Sequence, residues 1–354
     1  MMSITDSRAG GSRFDGSAVR SAMRVIIAYH ADQFFGIDRT REQAELADAP
    51  FNPEVYYPWT VRHFMTYLKT QKIPARLHEV SRVLGAMERV GLLVAEGHQQ
   101  QKDALGGQIY FGAKGMRSQR AEGSMLWLAE ALGAEVIIPY YKTVTVQIVG
   151  SSETLCADQL WGTGLALDRT HVVTNRHVIE HMDREIMVVW SGLSGEQSCS
   201  ARVRGAHDTL DIAVLQIEPT DIQRGLDVLP GMVFRDPVWA DETFVFGYPR
   251  VPMTAEMAIT VQRGEVVNPS TPSMPSRDPI FLYSAIARPG NSGGPIVAGD
   301  GRVIGLVVED SADTCASDGT ASSAPFYRGI PATEILRALN DLGFAHLAEH
   351  ETWR

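Results

Sequence analysis

Three short segments hold a histidine, an aspartate and a serine that could act together on an acyl group. His177 ends the segment TNRH, Asp211 begins DIAVL, and Ser292 lies within GNSGGP. A serine hydroxyl becomes a nucleophile when a histidine takes its proton and a carboxylate fixes the tautomer of that histidine. The three segments therefore predict attack on an acyl bond by Ser292, with His177 as general base and Asp211 as the carboxylate that orients it.

The residues around the serine predict a site that binds an oxyanion. Glycines at 290, 293 and 294 allow positive φ angles and a close approach of the backbone to a substrate carbonyl. The backbone N–H groups of Gly290 and Ser292 are the expected donors, in an oxyanion turn that consists of Gly290, Asn291 and Ser292.

Other residues of the same types leave two alternatives open. Asp208 stands close enough in sequence to replace Asp211 as the carboxylate, although Asp211 directly precedes the apolar run. His171, His181 and His207 lie near the predicted base, but none has the TNRH context. A histidine is more often a surface residue or one whose hydrogen bonds are satisfied than a catalytic base.

The elements that must hold these residues are mostly strands. From about residue 140 onward, short apolar and β-branched runs alternate with Gly, Pro, Asp and Ser, which predicts a mainly β sandwich or pair of barrels. A helix is expected after His177 and another at 331–343. The predicted strands are KTVTVQIVG, GLALD, HVVTN, IMVVW, ARVRG, IAVLQI, TFVFGY, AITVQ, IFLYSA, PIVAG and VIGLVV.

Residues 16–135 have a different pattern and predict a separate, mainly helical domain. Helical periodicity covers 17–35, 60–71 and 75–91, two short strands around a polar loop follow near 92–115, and a last helix is expected at 120–133. The order helix, helix, hairpin over about 55–115 is typical of a winged helix-turn-helix domain. Such a domain would bind an activator protein or DNA through residues 55–120; a packing or oligomerisation domain is the alternative. The basic side chains available for phosphate contacts are Lys69, Lys72, Arg76, Arg82 and Arg89.

Composition limits the class of protein. The chain has 354 residues, a net charge of −10 and three cysteines, Cys156, Cys199 and Cys315. Three widely spaced cysteines are neither a disulfide framework nor a zinc motif, so we expect a reducing compartment and neither metal nor cofactor. The first twenty residues lack the apolar core of a signal peptide. These features predict a cytoplasmic protein with no membrane partner and a disordered tail at 1–15.

In this order, TNRHV, DIAVL and GNSGGP resemble the trypsin-like bacterial serine peptidases, especially the HtrA/Do-like branch. The order His, Asp, Ser is that of chymotrypsin-like folds. The resemblance covers about 140–343. It implies a chymotrypsin-like double β-barrel over 140–350, with six strands in each barrel, the active site between them and a protein or peptide as substrate. No PDZ module is expected to follow, and residues 16–135 become a sensor or docking domain.

The resemblance also implies how the enzyme would be regulated and what it would cut. Asn291 stands where digestive proteases carry the aspartate that pairs with a new N-terminal amine, so activation by N-terminal trimming is not expected. The specificity pocket would be formed by Ile286, Gly305, Val307 and Tyr327, which favours an apolar residue before the scissile bond. A restricted stress or immune effector is the expected role. The alternative is a DNA-binding or protein-binding regulator whose protease fold is catalytically silent.

Overall fold

The computed structural model describes most of the chain as two compact units, Met1–Lys114 and Gly115–Arg354. The predicted tail at 1–15 lies outside the described residues, as do Cys156 and Cys315. The described ranges are 16–36, 39–55, 57–99, 106–112, 124–154, 157–192, 195–218, 225–254, 257–308 and 326–351.

The described residues of the first unit form four helices followed by a two-stranded hairpin. Helix α4 buries Val80, Val83, Leu84 and Met87, the face that the sequence periodicity predicts. The segment α3, α4 and hairpin has the element order expected for 55–115, although the winged-helix assignment itself stays a prediction. The elements are α1 (Gly16–Phe34), α2 (Arg41–Ala47), α3 (Val61–Thr70), α4 (Leu77–Arg89), β1 (Leu93–His98) and β2 (Gln108–Gly112).

In the described residues, the second unit begins with three helical segments, where the sequence predicts one helix that ends at Gly133 and a strand from residue 142. A short 3-10 helix, Leu126–Leu128, leads into α5 (Ala129–Leu132) and α6 (Ala134–Val144). The strand predicted from residue 142 starts at Thr145, because α6 continues to Val144 and packs against strands of both barrels. The buried Tyr141 hydroxyl donates to the carbonyl of Gly301, which ties α6 to the barrels. The units therefore divide at 114/115, before the expected boundary near 135–140.

Two closed six-stranded barrels make up the rest of the second unit, as the resemblance implies. The first barrel has the strand order β3-β4-β5-β8-β7-β6 and the second β10-β11-β14-β13-β12-β9. All pairings between neighbouring strands are antiparallel. The first barrel contains β3 (Thr145–Ser152), β4 (Ala157–Ala166), β5 (His171–Thr174), β6 (Ile186–Gly192), β7 (Gly195–Ala206) and β8 (Ala213–Ile217), with α7 (Arg176–Ile179) after β5. The second contains β9 (Glu242–Gly247), β10 (Thr260–Pro272), β11 (Pro279–Tyr283), β12 (Pro295–Ala298), β13 (Val303–Val308) and β14 (Tyr327–Pro331), and is followed by α8 (Ala332–Asp341).

Two buried arginines pair with carboxylates near the second barrel, and one of them also reaches Glu351. The Arg235 guanidinium contacts the carboxylates of Asp241 and Asp300, each at 2.8 Å. Arg302, only 1% exposed, pairs with Asp300 and with Glu351. Buried guanidinium groups need such partners because an unpaired charge is costly to remove from water. Asp300 and Arg302 follow β12, whereas Ser292 precedes it. The cluster therefore fixes the end of β12 that lies away from Ser292.

Candidate active site

His177 and Asp211 contact each other through two pairs of atoms. The His177 Nδ1 lies 2.6 Å from Asp211 Oδ2, and the His177 backbone N–H donates to Asp211 Oδ1 at 2.9 Å. The Asn175 side chain donates to the Asp211 backbone carbonyl at 2.9 Å. A carboxylate at Nδ1 favours the tautomer that carries its proton there, which leaves Nε2 as the acceptor.

Asp211 is held in its charged form. Its burial alone would raise the carboxyl pKa, but the hydrogen bonds from His177 and the electrostatic interactions with His177 and Arg176 lower it below the ordinary value. A charged carboxylate is the state that can fix the imidazole ring and stabilise an imidazolium.

The structure decides between the alternatives that the sequence left open. Asp208 is engaged through its backbone carbonyl, which accepts from Arg176 at 2.7 Å, whereas Asp211 is the carboxylate on His177. His171 pairs with Asp168 at 2.9 Å, within the turn that precedes β5. His207 accepts the Leu210 N–H at 2.9 Å and lies 3.3 Å from Asp341. His171 therefore fixes a local turn, and His207 both fixes a local turn and contacts the end of α8.

The turn around Ser292 needs its glycines. Gly290 and Gly293 have φ angles of 101° and 80°, in the left-handed region that favours glycine. A Cβ at Gly293 would lie 2.2 Å from both the Thr163 carbonyl oxygen and the Thr174 hydroxyl. The Asn291 N–H donates to the Arg288 carbonyl at 2.9 Å and so closes the turn, instead of facing a substrate as its place in the predicted oxyanion turn implies. The N–H groups of Gly290 and Ser292 remain the candidate donors.

The two barrels bring His177 and Ser292 to one cavity. This cavity of about 170 Å³ is also lined by Gly290, Val178 and His181. His177 reaches it from the first barrel, at the start of α7, and Ser292 from the turn before β12 of the second barrel. A hydroxyl, an imidazole whose other nitrogen contacts a carboxylate, and candidate oxyanion donors therefore meet at one place.

Comparison with known proteins finds similar sequences for the part of the chain that contains these residues. Residues 162–306 match the family model of the trypsin-like peptidase domain. The second unit contains a trypsin-like peptidase domain. The serine protease Do-like HtrA of Lactobacillus helveticus is 28% identical over 175 residues, which are 49% of this chain and 39% of that protein. The serine endoprotease DegS of Escherichia coli is 29% identical over 171 residues, 47% of this chain and 45% of its own.

The chain thus spans less than half the length of these curated relatives. Among solved structures, the serine endoprotease from Yersinia pestis is 20% identical, with a TM-score of 0.44 over 58% of this chain and 65% of that one. Within the described residues, no group of His, Cys, Asp and Glu side chains could hold a metal ion, and no helix has the length and apolarity to cross a membrane.

The structure places the four residues predicted to form the specificity pocket in different surroundings. In the peptidase domain, Val307 is fully buried in the core of the second barrel, and Tyr327 packs against the same core. A Cβ at Gly305 would lie 2.5 Å from the Phe281 ring, so that glycine makes room for a core side chain. Ile286 is 45% exposed. Residues two apart in a strand point to the same face, so Gly305 and Val307 of β13 both face the barrel core. The resemblance alone did not show this orientation.

Thr163 is a site residue that the sequence analysis missed. It lies on β4 and is fully buried, and its hydroxyl donates to the Gly290 carbonyl at 2.7 Å while accepting the Tyr248 N–H at 2.9 Å. Its own N–H donates to the Ser292 carbonyl at 2.9 Å. A strand of the first barrel therefore holds the serine turn of the second at two carbonyls. The segment Gly-Thr-Gly at 162–164 was the signal available in the sequence.

Thr163→Val is expected to lower kcat for peptide cleavage by about 10- to 100-fold with little change in KM, because the Gly290 carbonyl loses its anchor and a small displacement is costly in catalysis. Thr163→Ser keeps the hydroxyl and should retain activity. Thr145→Val is the matched control, since it removes another buried hydroxyl bond, to the Tyr141 carbonyl at 2.8 Å. Steady-state kinetics would refute the positioning role if Thr163→Val and Thr145→Val gave the same kcat.

Proposed function

We propose that the protein is a serine endopeptidase that hydrolyses peptide bonds with Ser292, His177 and Asp211. The observation that carries this proposal is the two-point contact of Asp211 with His177, whose ring lines the same cavity as Ser292. The match of residues 162–306 to the trypsin-like peptidase domain supports it.

The geometry gives each group one task. Ser292 Oγ attacks the substrate carbonyl carbon while His177 Nε2 takes the hydroxyl proton, and the charged Asp211 stabilises the imidazolium that results. The N–H groups of Gly290 and Ser292 receive the negative charge that develops on the carbonyl oxygen. The imidazolium then gives its proton to the leaving amine. A water molecule, activated by the same histidine, hydrolyses the acyl-enzyme and restores the serine.

A fluorophosphonate probe tests whether these groups are assembled. The probe phosphonylates a serine only when a nearby base activates it, so we expect one adduct, which peptide mapping by mass spectrometry places on Ser292. Protein denatured before the probe is added should not react. Absence of labelling of the native protein, or labelling spread over several serines, would favour a catalytically silent protease fold.

The first unit is proposed as the sensor or docking domain that controls the peptidase. Its support is the helix, helix, hairpin order and the exposure of all five basic residues singled out from the sequence: Lys69, Lys72, Arg76, Arg82 and Arg89. Retention on duplex DNA that falls steeply with added salt would identify a nucleic acid partner. Absence of retention on DNA would leave a protein activator as the candidate partner.

We also propose that such a partner regulates the peptidase and that the protein has a restricted stress or immune role. The support for regulation by a partner is the residue that precedes Ser292. Asn291 is 1% exposed and carries a neutral amide, which cannot make a salt bridge with an N-terminal amine. We place the protein in the cytoplasm because its three cysteines are sparse and Cys199 is a buried free thiol. Imaging of the tagged full chain in its native cell would test that location.

A further inference from the structure

The cavity that holds His177 and Ser292 has a mostly apolar wall. Gly290 and His181 also line it. The rest of the wall is formed by Leu160 and Trp161 of β4, Val178 of α7 and Pro289 of the serine turn. None of the four wall residues is charged, and Val178 is only 8% exposed. An apolar concavity beside reacting groups favours an apolar side chain, because burying that side chain removes apolar surface from water.

The ring of His177 shows which part of a substrate lies there. Its Nδ1 contacts Asp211, and Asp211 lines a separate cavity of about 490 Å³ together with His177 and Val308. Ser292 and Gly290 line the smaller cavity, and the proposed proton transfer requires Nε2 to point toward it, because that nitrogen accepts the Ser292 proton. The leaving amine takes its proton from Nε2, so the residue that carries this amine must lie next to His177 and to Val178, which follows it.

We propose that this cavity binds the side chain of the residue directly after the scissile bond and that it selects an apolar one. The inference rests on the proposed peptidase function and adds its substrate class. An apolar cavity of about 150 Å³ is large enough for a benzene-sized group. The volume of about 170 Å³ therefore suits one branched aliphatic or phenyl side chain.

Two contacts fix the wall formed by Trp161. A Cβ at Gly290 would lie 2.9 Å from Trp161 Cδ1 and Nε1, so the indole packs directly on the backbone of the serine turn. The Arg250 guanidinium lies over the Trp161 ring, 5.6 Å from its centre, which is a cation–π contact. Trp161 also lines a larger cavity of about 650 Å³, with Arg250 and Met253, where the substrate can continue beyond the first leaving residue.

Leu160 is the wall residue best suited to a test, because it is half-buried. Unlike Trp161, it is not among the residues nearest to a Cβ at Gly290. The probe is a set of internally quenched peptides with one fixed acyl side and a varied residue after the scissile bond, with cleavage sites verified by mass spectrometry. The wild type should prefer Leu, Met or Phe over Glu and Lys by roughly tenfold or more in kcat/KM. Leu160→Glu should shift the preference toward Lys and Arg, and Leu160→Lys toward Asp and Glu, each by roughly tenfold.

The control and the other outcomes keep the two proposals separate. Val203→Glu places the same carboxylate on an exposed position of the same barrel, where the side chain is 43% exposed, and should leave the preference unchanged. Fluorophosphonate labelling of Ser292 should be equal in all variants. The leaving group of the probe is fluoride, which has no side chain to occupy the cavity. A flat wild-type profile, or a change confined to the residue before the bond, overturns the inference but leaves the peptidase intact. A wild type that neither reacts with the probe nor cleaves overturns both.

Discussion

Ser292→Ala is expected to lower kcat for peptide hydrolysis by a factor on the order of 10⁶, because the reaction loses the atom that forms the acyl-enzyme. The remaining groups can still bind substrate and stabilise an oxyanion, so KM should change little. The fold should be retained, since alanine keeps the Cβ and the turn is held by backbone bonds from Thr163 and Val307.

Steady-state kinetics on a cleaved peptide, together with thermal unfolding of the same preparations, would measure this effect. Ser200→Ala, at an exposed serine of β7, is the matched control and should retain the wild-type kcat. If Ser292→Ala hydrolysed peptides at the wild-type rate, Ser292 would not be the nucleophile and the assignment of all three residues would fail.

Asp211→Asn is expected to lower kcat by a factor of about 10⁴, because an amide at Nδ1 no longer fixes the tautomer that leaves Nε2 free to accept a proton. The two contacts at 2.6 and 2.9 Å leave space for an isosteric amide, so the fold should be kept. The depressed pKa of Asp211 adds a second expectation. Its stabilising contribution is present above its unfolded pKa of about 4 and is lost as the pH falls through the lower folded value. The variant should therefore lose less stability than the wild type as the pH is lowered below about 4.

The chain offers a matched control, because a second His–Asp pair lies nearby in the same barrel. Asp168 contacts His171 at 2.9 Å and holds the turn before β5 through the N–H groups of Thr170 and His171. Asp168→Asn should keep kcat and lose only stability. Asp208→Asn should also keep kcat, and a loss of activity there, with a fully active Asp211→Asn, would move the catalytic carboxylate to Asp208.

Much of the second unit could be predicted from local pattern. Alternation of apolar and polar residues marks a strand because successive side chains point to opposite faces, and that rule needs no distant contact. All eleven predicted strands overlap strands of the two barrels. The start of β3 was placed three residues too early, because β-branched residues at 143 and 144 also fit the end of α6. The burial of Tyr141 against distant segments decides in favour of the helix.

The residue types of the site were likewise evident in sequence, since a serine among glycines and a histidine after Thr-Asn-Arg are local signals. The sequence alone left Asp208 and Asp211 both open, and it gave Thr163 no role. Choosing Asp211 needs the fold of β5 and β8, which brings residues 34 positions apart into hydrogen-bond contact.

The sequence by itself determined eleven of the twelve barrel strands, the glycine-rich turn around Ser292 and the residue types proposed to perform hydrolysis. Only the tertiary structure decided which carboxylate meets His177, that Gly305 and Val307 belong to a barrel core, and that Leu160 and Trp161 form a wall beside Ser292. The physical reason is that strand periodicity and turn chemistry depend on neighbouring residues. A cavity depends instead on where two closed barrels place side chains from separate strands, and no local pattern records that placement.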